Sequence, residues 1–331
     1  MKRILMIATG GTIACVETES GLVPGLSGEE LLGYVPEAAG LCQLGTQDLF
    51  DLDSTNVEPK HWLAIAHAIA DAYDRYDGFL VTHGTDTMAY TAAGLSYLVQ
   101  GSPKPIVLTG AQLPISNALT DAKRNLYDSL LYLADDDSRD VSLVFGGAVI
   151  AGTRASKRRT ASPNAFESVN FPNLATLRRG QVLRTGTLKG QTVGPLRMYD
   201  QLDTRVQLLK LVPGMDPGVF DALAPYCDAL VVEGFGLGGI PSTPAYRRAV
   251  FDWLDSGRIM VAASQTFEEG FDMSVYEVGR AYVERGGMLM SGDMTCEAMV
   301  AKLMWALGQT RDRAEVERLF LRTVNHDRLM L

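Results

Sequence analysis

Threonine, lysine, aspartate and serine recur in this chain at places where a side chain can do chemistry. Thr12 follows Gly10-Gly11 directly after the apolar run Ile4-Leu5-Met6-Ile7-Ala8. An unbroken run of that length reads as a strand buried on both faces, and a Gly-Gly pair beyond it marks a turn where backbone can approach a ligand. A hydroxyl just past the carboxyl end of such a strand is in a natural place for a nucleophile. Asp53-Ser54-Thr55 follows a second expected strand at residues 47–52, His83-Gly84-Thr85-Asp86 a third at 79–82, and Gly110-Ala111-Gln112 a fourth at 105–109. Lys157 closes Gly152-Thr153-Arg154-Ala155-Ser156-Lys157, after apolar stretches at 141–145 and 149–150.

A threonine hydroxyl is a weak nucleophile at its own pKa and needs a base, a role lysine can take where burial lowers its pKa. Lys157 can fill it, with Thr85 relaying the proton and Asp86 orienting the group or holding substrate. The set suits acyl transfer from an amide or ester, the oxyanion being held by backbone N–H donors of the turns at Gly11 and Ala111. Each residue taken singly also has a plain structural reading. The Thr12 turn could be an ordinary strand-to-helix turn, Asp86 a helix cap, Ser54 and Thr55 turn residues. Lys157 lies in the basic run 154–159, by default a solvated loop or anion patch. Placement of all five clusters at strand ends is what argues for a site.

The elements carrying these turns alternate between strand and helix. Pro59 opens a helix with Trp62, Ile65, Ala66, Ile69 and Tyr73 on one face. Further helices are expected after Asp86, to about residue 99, and over 121–134. Ser27 and Glu30 form a capping box for a short helix through Tyr34. Residues 16–27, with Gly21, Pro24 and Gly25, read as a mobile loop and candidate lid. This alternation predicts an α/β fold: a parallel-sheet N-terminal domain covered by helices (1–188), a linker (189–206), and a smaller α/β C-terminal domain (207–331). In the latter, strands at 229–232 and 259–263 flank a helix at 245–254, and a helix at 297–307 is closed by Gly308.

Composition narrows the function. With 47% hydrophobic and 21% charged residues in 331, a large core is available, and a net charge of −9 works against nucleic-acid or anionic-membrane partners. No apolar run is long enough to span a bilayer, and Lys2-Arg3 leads into a strand rather than a signal peptide. Cys15, Cys42, Cys227 and Cys296 are scattered, which supports neither a disulfide framework nor a zinc site and fits a reducing cytoplasm. Four histidines without H-E-x-x-H spacing leave metal or flavin chemistry poorly supported, and His83 reads as structural. TGGTIA is not G-x-G-x-x-G and no phosphate-cradling G-x-x-x-x-G-K-[ST] occurs, so a nucleotide-dependent oxidoreductase is set aside. No cofactor is expected.

The motifs carry a resemblance. ATGGTIA (8–14) together with VTHGTDTMAYTAA (81–93) resembles the two signature segments of bacterial-type L-asparaginases. Similarity to the cytoplasmic type I branch continues through TGAQLP (109–114), GTRASK (152–157), AFESVNFPN (165–173) and EAMVAKLMWALGQ (297–309), nearly the whole chain. The resemblance implies a cofactor-free amidohydrolase converting L-asparagine to L-aspartate and ammonia through a β-aspartyl enzyme on Thr12. Thr85, Lys157 and Asp86 would form a second, threonine-centred triad. Asp53, Ser54 and Thr55 would hold the α-carboxylate and amino group with Asp86, Gly11 would line the substrate, and Ala111 would line the amide end. It further implies a homodimer or homotetramer in which an acidic residue of a neighbour's C-terminal domain completes the site, with Glu277 the candidate.

Two positions depart from that pattern. Leu22 stands where the family's loop often has a tyrosine beside the nucleophile, so activation of Thr12 falls to another group or to Lys157 and Thr85. Ser264-Gln265-Thr266 stands where some type I enzymes have Thr-Gln-Cys at an allosteric site. The rival readings are a glutaminase-asparaginase or another small-amide hydrolase, since one methylene changes binding by only roughly 1–3 kcal/mol. The ammonia-generating component of a tRNA-dependent amidotransferase is a further rival, though its relatives carry an N-terminal domain before a threonine motif that here begins at residue 8. A non-catalytic amino-acid sensor is the rival from another class, against which stands the retention of Thr12, Thr85, Asp86 and Lys157 together.

Overall fold

The computed structural model describes residues 1–18, 21–184 and 194–329, without the side chains of residues 17, 18, 22 and 24. The expectation on the Leu22 side chain therefore lies outside the described residues, as does part of the expected linker at 189–206. The chain divides into two units, residues 1–200 with 324–326, and 201–323 with 327–331.

In the first unit β1 (Arg3–Gly10) ends in a 3-10 turn at Thr12–Ala14 and continues as the hairpin β2 (Cys15–Thr18) and β3 (Gly21–Pro24). Then come α1 (Gly28–Gly33), β4 (Gln43–Leu52), α2 (Pro59–Ala72), β5 (Gly78–Thr82), α3 (Met88–Leu98), the short β6 (Val99–Gln100) and β7 (Ile106–Thr109). α4 (Ala122–Ala134) precedes β8 (Val141–Phe145), which turns at Gly146-Gly147 into β9 (Ala148–Ala151). Short strands follow: β10 (Ala155–Lys157), β11 (Phe166–Ser168), β12 (Ala175–Arg178), β13 (Gln181–Leu183) and β14 (Arg197–Met198).

The main sheet runs β13-β12-β9-β8-β7-β5-β1-β4. From β8 to β4 the pairs are parallel, and β9, β12 and β13 add an antiparallel edge. β1 and β5 are buried along almost their whole length, as parallel strands covered on both faces must be. Ile4, Met6, Leu80 and Val107 share a core with Leu31 of α1 and Leu126, Leu130 and Leu133 of α4. Alternation sends Leu5, Ile7, Phe79 and Val81 to the opposite face, where the Trp62 ring of α2 lies so close to Gly94 of α3 that a Cβ there would meet it at 2.6 Å. The helical spacing of Trp62, Ile65, Ala66 and Ile69 and the Ser27–Glu30 capping box are both present.

Three sequence expectations change. Residues 15–18 and 21–24 pair as a hairpin rather than a loop, and Gly25 and Leu26 both donate to the Ala14 carbonyl at 3.0 Å, which ties the hairpin base to the Thr12 turn. The apolar stretch at 149–150 returns antiparallel to β8 instead of extending it, because Gly146 and Gly147 reverse the chain at φ +57° and +80°. Arg197–Met198, within the stretch expected as linker, pairs with Val99–Gln100.

The second unit is a smaller parallel sheet, β15 (Val206–Lys210), β16 (Ala229–Gly234), β17 (Ile259–Ser264) and β18 (Leu289–Met290), in that order. Its helices are α5 (Val219–Leu223), α6 (Pro244–Asp255), α7 (Glu277–Arg285), α8 (Cys296–Gln309) and α9 (Arg313–Leu321). Gly308 lies inside α8 instead of closing it. A Cβ there would stand 2.7 Å from the Gln201 carbonyl, so the glycine serves a close approach of backbone. Lys302 of α8 is fully buried, ion-paired with Asp327 at 2.5 Å and donating to the Arg322 carbonyl at 2.6 Å. Among the described residues all four cysteines are free thiols and no helix is long and apolar enough to cross a membrane.

Candidate active site

Four turns meet at the carboxyl edge of the neighbouring strands β4, β1, β5 and β7, and glycines let them touch. Gly10 and Gly11 have φ +87° and +80°, which other residues rarely adopt. A Cβ on Gly11 would lie 2.3 Å from the Gly84 nitrogen, one on Gly84 2.6 Å from the Ser54 Oγ, and one on Gly110 2.2 Å from the His83 carbonyl. Backbone therefore packs on backbone across three strand ends. Thr12 and Thr85 each sit one residue beyond the Gly11–Gly84 contact, so the sheet itself brings the two motif threonines together.

Lys157 arrives from elsewhere. It is not at the carboxyl end of a main-sheet strand, as its place in sequence suggested, but on β10, which among the described residues pairs only with β11. From there Nζ donates to Thr85 Oγ1 at 2.8 Å and to Asp86 Oδ1 at 2.5 Å. The three residues Thr85, Asp86 and Lys157 are thus brought together. The basic run around it is no solvated loop: Arg154 is fully buried, and Arg159 pairs with Glu167 at 2.6 Å.

Gln112, whose place beside Ala111 was legible but whose role was not, joins this network. Its Oε1 accepts from the Thr85 hydroxyl at 3.3 Å, and its Nε2 donates to the carbonyls of Arg159 and Ser162, both at 3.3 Å. Thr85 accordingly accepts from lysine and donates to glutamine. The sequence placed it in the cluster at the end of the fourth strand but gave it no role. Ala111 itself is buried in the core with Ile13 and Ile115, and the Ile115 N–H donates to the Ile13 carbonyl at 3.2 Å.

On the other side, Asp53 Oδ1 accepts from the Thr55 hydroxyl at 2.6 Å and from its N–H at 2.8 Å. Those two bonds, the hydroxyl's first, hold the Asp53 carboxyl below the usual carboxylate range. Asp53 is exposed and so can meet a cation. Buried Ser54 joins the β4 and β5 turns, accepting from the Asp86 N–H at 3.2 Å through Oγ and from the Thr87 hydroxyl at 2.7 Å through its carbonyl. Thr12 is half-buried, and among the described residues no hydrogen bond engages its hydroxyl. Within the Gly11 turn, the Gly11 N–H itself donates to the Leu52 carbonyl at 3.0 Å. Glu277 lies exposed at the first turn of α7 in the second unit.

His83 is buried beside the Gly84 turn. Its ring nitrogens bond the Gly84 carbonyl at 2.7 Å and the Thr91 hydroxyl at 3.0 Å. Burial pushes its pKa down to about 4, so the ring is neutral at physiological pH. The unfolded chain then binds more protons than the native one between about pH 6.5 and 4, and stability falls as pH drops through that window. At about pH 4.5 wild type is expected to have lost about 2–3 kcal/mol more than His83→Gln, relative to about pH 7.5, in urea unfolding. Half-buried Asp140, raised to about 6, acts in the opposite sense, which is why the difference between the two proteins is the quantity to read.

Comparison with known proteins fits this geometry. The asparaginase N-terminal family model matches residues 3–188, and the glutaminase/asparaginase C-terminal domain model matches 205–320. An L-asparaginase of Thermococcus kodakarensis is 38% identical over 328 residues, covering 97% of this chain and 98% of that one. The solved thermostable L-asparaginase from that organism superposes with a TM-score of 0.91 at 36% identity, over 99% of this chain and 100% of that one. L-asparaginase I from Vibrio cholerae superposes with a TM-score of 0.87 at 26% identity, covering 99% of each chain. A glutamyl-tRNA(Gln) amidotransferase component of Metallosphaera sedula is 36% identical over 336 residues, covering 96% of this chain and 75% of that protein.

Proposed function

The chain belongs to the asparaginase family, and we propose that it hydrolyses the side-chain amide of L-asparagine to L-aspartate and ammonia through an acyl-enzyme on Thr12. The observation that carries this reading is the Lys157–Thr85–Asp86 cluster beside a threonine held on two left-handed glycines. Asp53 takes the substrate's ammonium, and Ser54 with the turn N–H groups takes its α-carboxylate. That places the amide carbon toward Thr12 and Ala111. Thr12 Oγ attacks this carbon, the oxyanion forms against the Thr12 and Ala111 N–H groups, and the hydroxyl proton passes by way of Thr85 toward Lys157. The C–N bond breaks as that proton is returned to the nitrogen, which leaves as ammonia, and water then attacks the ester by the same route to release aspartate and restore the Thr12 hydroxyl.

We infer a homo-oligomer of the type I, cytoplasmic kind, with Glu277 facing a neighbour's substrate. Support comes from the apolar surface flanking Glu277. Val275 and Tyr276 are 54% and 62% exposed, beside a hollow of about 310 Å³ lined by Phe235, Ile240, Met273 and Val278.

The test is ammonia release from purified protein with L-asparagine and L-glutamine in parallel. Turnover of asparagine at least tenfold above glutamine is expected, in line with the one-methylene limit on discrimination. Comparable turnover of the two favours the glutaminase-asparaginase reading, and tight asparagine binding without ammonia release favours a sensor.

A further inference from the structure

Val324–His326 packs with the first unit although the residues on either side of it belong to the second. Asn325 and His326 have φ +44° and +66°. Two consecutive non-glycine residues persist in that region only where their surroundings over-determine them, and here they do. Asn325 Nδ2 donates to Ser96 Oγ at 2.9 Å and to the Val141 carbonyl at 2.8 Å. The Asn325 carbonyl accepts from the Thr153 hydroxyl at 2.5 Å, and the His326 carbonyl accepts from Arg154 Nε. The His326 ring stands 4.6 Å from that of Phe171, which the Arg154 guanidinium also faces at 5.5 Å. Thr153 and Arg154 are both fully buried.

These contacts reach the site from two sides. Ser96 belongs to α3, the helix that starts just after Thr85-Asp86. Thr153 and Arg154 lead straight into Ala155–Lys157. Gly152 closes the arrangement: a Cβ there would lie 2.6 Å from Ser96 Oγ, so its turn rests on the same hydroxyl that Asn325 grips. Arg154 is pinned through its backbone as well, donating to the Ala151 carbonyl at 2.8 Å and accepting from the Val169 N–H at 2.9 Å.

We propose that Asn325-His326 is a wedge that sets the register between β10 and α3, so that Thr153 and Arg154 act as positioning residues for Lys157. The proposal rests on the reading of Lys157 as the base. At about 3.3 Å per residue along a strand, a shift of the Thr153 turn passes along β10 to Nζ, and a misplacement of about 1 Å at a reacting group can lower a rate by about a hundredfold. None of the wedge's hydrogen bonds reaches Asp53, Ser54 or Thr55, so kcat is expected to respond and KM to hold.

The experiment compares full-length wild type with Thr153→Val, which removes only the hydroxyl donor, Thr153→Ser, which restores it, and Asn325→Gly. The last keeps the backbone conformation accessible while deleting both side-chain hydrogen bonds of Nδ2. For Thr153→Val and Asn325→Gly, kcat on L-asparagine is expected to fall about tenfold with KM unchanged within about twofold, and Thr153→Ser to recover it. In parallel, acylation footprinting of lysines by mass spectrometry is expected to show Lys157 reacting several-fold faster in Thr153→Val and Asn325→Gly, with Lys60 and Lys123 unchanged. Should wild type release no ammonia, the function is wrong, yet the footprint still decides whether the wedge holds Lys157. Unchanged Lys157 reactivity, an unchanged kcat, or KM rising in step with the loss of kcat overturns the wedge.

Discussion

Thr12→Ala is expected to lower ammonia release from L-asparagine by about 10⁴-fold or more while leaving the fold intact. The magnitude is that of deleting a nucleophile from a set that acts as a unit. The fold should survive because the turn is built by its neighbours. Gly11 donates to Leu52, Ala14 donates to Gly11, and Ile13 and Ala14 fill the core below. Thr12 is half-buried and makes no hydrogen bond through its hydroxyl among the described residues, so its loss removes a reacting atom and little packing. Thr12→Ser, which keeps the hydroxyl, is expected to retain measurable turnover. Steady-state rates beside thermal unfolding of each variant check both statements, and a fully active Thr12→Ala would remove the nucleophile from this position.

Lys157→Met is expected to cut kcat by about 10³-fold or more, and Lys157→Arg not to rescue it. An arginine restores the charge opposite Asp86 but never gives up a proton at working pH, so it cannot serve as the base. If the role of Lys157 were only to neutralise Asp86, arginine would recover most of the activity. Stability should change little, because Asp86 is 56% exposed and exposed ion pairs contribute about 0–1 kcal/mol. The kcat values of both variants against wild type separate the base from the counter-ion.

The strands and turns that build the substrate side were legible in the sequence because each signal is local. An apolar run, a Gly-Gly pair and a threonine fix the Thr12 turn within a few residues, and the capping box before α1 and the stripe on α2 are read the same way. What escaped depends on contacts distant in sequence. β10 is only Ala155–Lys157, too short for periodicity, and its partner lies beyond a further turn. Arg154 looked like part of a charged run, because its burial is decided by Val169, Phe171 and His326. Gln112 became part of the site through the Arg159 and Ser162 carbonyls, far along the chain. Gly308 reads as a helix stop until Gln201 is seen against it. The left-handed pair Asn325-His326 carries no glycine to announce it.

Thr12 and Thr85 stand on adjoining turns, and among the described residues only Thr85 is bonded directly to the lysine. The most direct test of the central claim is therefore where the acyl group goes. Protein mixed with L-asparagine is quenched in acid during turnover, digested and read by mass spectrometry. The account predicts an aspartyl adduct on the peptide holding Thr12, absent from Thr12→Ala. The same adduct on Thr85, or asparagine turnover with no adduct in wild type and in variants slowed at the second step, would contradict it.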